Sequence, residues 1–266
     1  MAVDIRVHCY QTGGGGGGGT GGNDPYEYWY DWECECNRRF GGTWWIGDDP
    51  SYEAYDVWVA PPEDGRTSIN LNNYLQNFDH TAGSTYKITL AVDQPTPGSR
   101  TVYTIETNPL VPRERSSNSR VDIGHAFLTI EQTKPNGTIV KRSLGFYPDA
   151  IVFPKKPQGD GVFYNDEQQY FDVSLTTTLS ESNFFAVINY LKSHATEKYN
   201  LNTKNCVSKC VEALNSVGLN IPETEGEWPF GAGMNPGDLG EDIRGMILGP
   251  SQTRNLSGGT APPNQN

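Results

Sequence analysis

Basic residues are scarce in this chain: 20 lysines and arginines stand against 32 aspartates and glutamates in 266 residues, for a formal net charge of −12. Such a surface repels phosphate backbones and anionic headgroups, so nucleic acid is excluded as an expected partner. No apolar run approaches the ~20 residues of a bilayer span. The start, "MAVDIRVHCYQ", has neither the basic opening nor the apolar stretch of a secretory signal. The expectation is a protein cytoplasmic in its producer, any secretion using a route that reads no cleaved signal peptide. Cysteine is sparse too. Cys9, Cys34, Cys36, Cys206 and Cys210 are an odd number, which speaks against a disulfide framework. In "WECEC" Cys34 and Cys36 alternate with Glu33 and Glu35, so a strand would put both thiols on one face. With no histidine or second cysteine pair nearby, they read as buried strand cysteines; neither a metal nor a cofactor is expected.

What the chain has in quantity is glycine, proline and aromatic residues, a mix that favours strands and turns. Gly13 to Gly19, followed by "TGG", carry no side chains to pack and predict a loop over 13–22. Around it, "VDIRVHCY", "YEYWYDWECECNRRF", "AYDVWVAP" and "STYKITLAV" alternate like half-buried strands, and predict an all-β, sandwich-like domain over 1–95. "INLNNYLQNF" within it fits a short helix or a strand. A proline-rich polar stretch over 96–119 reads as a linker, residues 120–248 as a second domain, and 249–266 as a disordered tail. The second domain opens with two strands, "GHAFLTIEQ" and "TIVKRSLGFYP", flanking Asn136-Gly137, the favoured pair of a two-residue hairpin turn. "LSESNFFAVINYLKSHA" predicts an amphipathic helix capped by Ser180 or Ser182. The fold class expected for the whole is α+β.

The stretch "YNLNTKNCVSKCVEALNSVGLNIP" predicts a second helix. With Thr203 or Asn205 as N-cap, Cys206 falls in the first turn, where free N–H groups and the helix dipole favour a thiolate. Val207, Cys210, Val211 and Leu214 form the apolar stripe, and Gly218 the stop. Alone, this leaves Cys206 either a nucleophile or a packed thiol, and Cys210 a core residue. A thiolate needs a base. Of the four histidines, His125 in "VDIGHAFLTI" stands at a strand start behind a glycine that lets backbone come close.

"GHAFLTI" and "SLGFYP" followed by "KYNLNTKNCVSKCVEALNSVGLNIP" resemble the circularly permuted branch of papain-like, NlpC-type cysteine hydrolases, which includes the lecithin retinol acyltransferase-like proteins. The resemblance covers about 120–245 and rests on two short motifs. It implies a papain-like α+β core with Cys206 as nucleophile, His125 as general base, and a third polar residue on the neighbouring strand to orient the imidazole. With Asn136 and Gly137 as the turn, Pro135 faces Thr138 and His125 faces Pro148; Asp149 is then the expected third residue. Asn205 and Tyr147 are expected as oxyanion or supporting groups. The second histidine of acyltransferase-like members is absent, which turns the reading towards amides. The implied activity is a thiol hydrolase, amidase or endopeptidase, acting on peptides, foremost those of peptidoglycan. A chain of this organisation suits an effector or toxin whose partners include a secretion apparatus or an immunity protein. The alternative is a core without activity, with the β domain working as a binding or structural module. The glycine-rich loop "ETEGEWPFGAGMNPGDLG" is expected either to line the site or merely to wrap the domain.

Overall fold

The computed structural model describes residues 57–62, 65–106 and 120–266, together with the short strands 7–9 and 44–46. Two compact units divide the chain, one of Val57–Thr104 with Val121–Asn266, the other of Ala2–Asp56 with Ile105–Arg120. In the second unit, β1 (Val7–Cys9) pairs antiparallel with β2 (Trp44–Ile46). The rest of residues 1–56 of the expected sandwich domain, with its loop 13–22, Cys34 and Cys36, lies outside the described residues.

The first unit is α+β, with few helices and a large antiparallel sheet. Its strands are β3 (Thr85–Asp93), β6 (His125–Thr133), β7 (Ile139–Pro148), β8 (Gln158–Asn165), β10 (Val173–Leu179), β11 (Lys198–Asn200) and β14 (Gln252–Asn255). They lie in the order β11-β8-β7-β6-β3-β10-β14. The short strands β4 (Thr104–Glu106) and β5 (Arg120–Asp122) pair with each other, as do β9 (Tyr170–Phe171) and β15 (Gly259–Thr260), and β12 (Glu225–Trp228) and β13 (Gly231–Met234).

Period-2 alternation builds the sheet's main core face, with Ile88, Leu90 and Val92 of β3 beside Ala126, Leu128 and Ile130 of β6 and Leu144 and Phe146 of β7. Onto the sheet pack α2 (Glu181–Ser193), against β3 and β10, and α3 (Cys206–Asn215), against β6 and β7. Ser180 caps α2, and its buried stripe is Phe184, Val187, Ile188 and Leu191. The undecided segment near residue 70 is a one-turn helix, α1 (Leu71–Tyr74), and α4 (Pro236–Gly245) packs at β3 and β10. A smaller cluster of Ala91, Phe127, Phe171 and Ala261 explains why β6 is buried along nearly its whole length.

Three expectations are corrected. The strand "STYKITLAV", assigned to a domain over 1–95, is β3, hydrogen-bonded between β6 and β10 at the centre of the sheet, so residues 57–104 belong with the C-terminal half rather than beyond a linker over 96–119. The tail 249–266 is not disordered. It contributes β14 and β15, and its last residues return to β7, where Lys141 and Gln265 exchange backbone hydrogen bonds. The hairpin turn is also longer than two residues. Lys134 N–H donates to Thr138 O and Gly137 N–H to Lys134 O, with Gly137 at φ 85°, so Pro135, Asn136 and Gly137 form a three-residue loop with a left-handed last position. The register moves by one residue, pairing Phe127 with Gly145, and continued outward it sets His125 against Tyr147 instead of Pro148. A one-residue slip exchanges the faces of a strand.

Candidate active site

Cys206 is the first residue of α3, and the local sequence fixes it there. Asn205 is the N-cap: its Oδ1 accepts from the N–H groups of Val207 and Ser208, and Ser208 Oγ accepts from Asn205 N–H to complete a capping box. Asn205 Nδ2 donates to Leu201 O and Met234 O, which ties the helix start to the preceding loop and to β13. On the inner face of α3, Lys209 is buried and ion-paired with Glu197.

His125 opens β6. The preceding Gly124 has φ 69°, and a side chain there would run into Asp93 O and Pro236, so only glycine permits the approach. The imidazole Nε2 meets Asp166 Oδ2 at 3.0 Å, and the Cys206 thiol adjoins the ring closely enough to act on its charge. With Nε2 committed to Asp166, Nδ1 is the nitrogen left for the thiol. Burial pushes the His125 pKa down, but the hydrogen bonds and charges of Asp166 and Cys206 prevail and raise it to about 9. The imidazolium is therefore the resting form at neutral pH.

Asp166 follows β8, two strands from β6, and reaches His125 over Gly145 of the intervening strand. The Asp166 N–H donates to Ser143 O, which fixes this position. Its other oxygen, Oδ1, accepts from Arg66 Nη1 at 2.8 Å and from the Tyr147 hydroxyl at 3.1 Å. Tyr147 stacks on the His125 ring at 4.4 Å between centroids, and burial keeps its phenol protonated as a donor.

Of the expected residues, the structure brings together Cys206, His125, Asn205 and Tyr147. Asp149 is a correction: it is exposed, beyond the end of β7, and its Oδ1 accepts from Asp160 N–H, while the imidazole it was expected to orient is held by Asp166. The slipped register explains the error, because it puts Tyr147 rather than Pro148 opposite the histidine. Asn205 is corrected in part, since its amide is used up in capping and bracing and has no donor left for an oxyanion. Asp166, Arg66, Gly145 and Tyr199 were missed. "FYNDE" placed an acid at a strand end, but only the true register carries it across Gly145 to the histidine.

Burial and the neighbouring Cys206 hold the Tyr199 phenol well above its ordinary range. The phenol therefore stays protonated beside the thiol. Cys210, one turn along, is fully buried and burial raises its thiol well above the usual range, as for a packed residue. The other two histidines with described side chains are remote from this chemistry: His80 pairs with Glu181 at the surface, and His194 caps α2. Cys206 also lines a small cleft, part of it open to solvent, which Tyr199, Trp228 and Met234 help to enclose. The loop "ETEGEWPFGAGMNPGDLG" thus reaches the site as the hairpin β12–β13. Among the described residues no group of three His, Cys, Asp or Glu side chains is arranged to hold a metal, and no helix is long and apolar enough to cross a membrane. Comparison of the chain with protein-family models, curated proteins and solved structures finds no match.

Proposed function

We propose that this protein is a cysteine-dependent hydrolase that cleaves an amide through an acyl-enzyme, with Cys206 as nucleophile, His125 as acid and base, and Asp166 as the residue that orients His125. The observation that carries this reading is the His125 imidazole held between the Cys206 thiol and the Asp166 carboxylate. Thiol, imidazole and orienting carboxylate in this order are the parts that nucleophilic catalysis needs. A histidine on a strand that precedes a helix-borne cysteine also accords with the resemblance to permuted NlpC-type hydrolases, and peptidoglycan stem peptides are the substrate it suggests.

In this mechanism the Cys206 sulfur attacks the carbonyl carbon beside the protonated His125. The oxygen that gains charge is met by the Tyr199 hydroxyl, which burial keeps protonated beside the thiol. His125 then gives its proton to the departing amine. Neutral again, it takes a proton from the water that cleaves the thioester and returns it to the sulfur as Cys206 leaves. The Asp166 carboxylate stays charged throughout and fixes the ring.

Iodoacetamide labelling of the full chain, read by peptide mass, tests the reading. Cys206 is expected to react faster than Cys210, and His125→Ala to remove that advantage. Equal, slow reaction at every cysteine would refute the nucleophile. Incubation with isolated sacculi beside a Cys206→Ala control tests the substrate; new peptide ends only with the active chain support peptidoglycan, and none directs attention to another amide.

A further inference from the structure

The cleft beside Cys206 is nearly closed. Its free room is about 20 Å³, enough for one water, and Cys206 itself is only 6% exposed. No acyl group fits at the sulfur in this arrangement, so cleavage of an amide requires part of the wall to move. Tyr199 lies on β11 in the seven-stranded sheet, and Asn205 and Cys206 begin a helix packed on that sheet. Trp228 and Met234 are placed differently, on the hairpin β12–β13. The hairpin is a two-stranded sheet of its own and, among the described residues, exchanges no backbone hydrogen bond with another element. Two asparagine side chains tie it down: Asn205 Nδ2 donates to Met234 O at 2.8 Å, and Asn235 Nδ2 to Gly233 O at 3.4 Å.

The register pairs Gly226 with Gly233 and Trp228 with Gly231, so these four residues share one face of the hairpin. That face is the inner one. A Cβ on Gly226 would lie 2.5 Å from Asp238 Oδ2, and one on Gly233 2.2 Å from Asn202 O. Three glycines leave the Trp228 ring as the side chain that anchors this face. Its Nε1 and Asn202 Oδ1 both lie beside Gly231, 2.2 and 2.7 Å from where a Cβ would stand there. Among the described residues, both atoms are buried without a hydrogen-bond partner. A buried donor or acceptor left unpaired carries its full desolvation penalty, which opposes the gain from burying the indole ring. Lifting the hairpin would return both atoms to water, so the open position recovers part of what it loses in apolar contact. We propose that β12–β13 is a lid, closed over Cys206 in this structure, that lifts to admit an amide to the sulfur. The purpose of the opening rests on the thiol-hydrolase reading; the opening itself does not.

Two measurements on the full chain test the lid: amide hydrogen exchange read by peptide mass, and modification of Cys206 by fluorescein maleimide, a reagent too large for a space of one water. The amides of 225–234 are expected to exchange together, at least about 100-fold faster than those of β6. Gly233→Ala puts a Cβ against Asn202 O, and Trp228→Ala removes the anchoring ring. Each should raise the maleimide rate at Cys206 at least about 10-fold, and the exchange of 225–234 by a similar factor, while Cys210 stays unreactive. Hairpin amides as protected as those of β6 would overturn the lid. So would a parent Cys206 that reacts with the maleimide as fast as a thiol in the unfolded chain, or a Cys206 rate unchanged in a folded variant whose hairpin exchanges faster. Should a variant unfold and expose Cys210, the exchange and maleimide rate of the parent decide. Labelling of Cys206 that is indifferent to His125→Ala refutes the thiol-hydrolase reading instead, and leaves the exchange of 225–234 to decide the lid.

Discussion

Gly145 stands on the strand between His125 and Asp166, and a Cβ there would lie 2.0 Å from Asp166 Oδ2 and 2.5 Å from His125 Nε2. A methyl group at that point must separate imidazole from carboxylate, since neither can yield without leaving its other partners. Gly145→Ala is therefore expected to lower turnover about 100-fold, the scale of a misplacement near 1 Å. Alkylation of Cys206 should fall less, because the thiol and its helix are untouched. Turnover like that of the parent would show that the His125–Asp166 bond is dispensable. The same bond sets a pH dependence. With the folded His125 raised from 6.5 to about 9, its contribution to stability is fully present below about 6.5 and is lost as pH rises through about 9. The shift corresponds to about 3 kcal/mol. Turnover needs the imidazolium to protonate the leaving amine, so it should decline through the same upper range, whereas alkylation should not. Asp166→Asn should move the alkaline limb of the turnover profile downward, and an unmoved limb would detach Asp166 from the histidine. Cys206 and His125 were legible in the sequence because their signals are local, a cap before one and a glycine before the other. Asp166 was not, since its approach depends on a pairing register that a three-residue turn set one step from the two-residue reading of Asn136-Gly137.

At the scale of elements, the C-terminal segment acts as a strap over the strand ends that present Asp166. Asn264 Nδ2 donates to Tyr74 Oη and Asn165 Oδ1, both at 3.0 Å, and its Oδ1 accepts from Ser143 N–H at 3.2 Å. Its own N–H donates to Glu167 Oε2 at 2.9 Å. Both neighbours of Asp166 in sequence, and the residue that pairs with it across the sheet, thus meet one asparagine. Composition concealed this: "GTAPPNQN" has the serine-free polar, proline-bearing look of a segment that buries nothing, and it is ordered by hydrogen bonds to strand ends rather than by apolar burial, apart from Ala261. The helices α2 and α3 were more legible, because capping and spacing are properties of contiguous residues. Ser180 and Asn205 stand where the sequence offered them as caps. Asn264→Ala, and more strongly removal of residues 261–266, should lower turnover about 10-fold by loosening Asp166. As a positioning effect this should also shift the alkaline limb towards neutral pH, which a merely structural loss would leave in place. An unchanged pH profile in a folded variant would confine the strap to stability.

For the whole molecule, the division of the chain is the feature least visible in its sequence. A proline-rich polar stretch resembles a linker between domains, yet β3, which precedes it, pairs with β6, which follows it, and the two residues aligned at the site end of that ladder are Asp93 and His125. A strand pattern says that a segment belongs to a sheet; it does not say to which one, because the pairing partner lies far away in the chain. A fragment starting near residue 120 would therefore lack an interior strand. It would expose two unpaired strand edges and lose Ile88, Leu90 and Val92 from the core, each worth about 1.5–3 kcal/mol. Leu71, Leu75 and Phe78, also buried in that core, would go with them. Losses of this size meet or exceed the ~5–15 kcal/mol by which domains are stable. Residues 120–266 are expected to show no cooperative thermal transition by circular dichroism and to expose Cys210 to alkylation at the rate of a free thiol. Residues 57–266, which keep all seven strands, should melt cooperatively, protect Cys210 and retain preferential labelling of Cys206. A cooperative, Cys210-protected 120–266 fragment would mean that the sheet can close without β3, and that the sequence's apparent boundary is the real one.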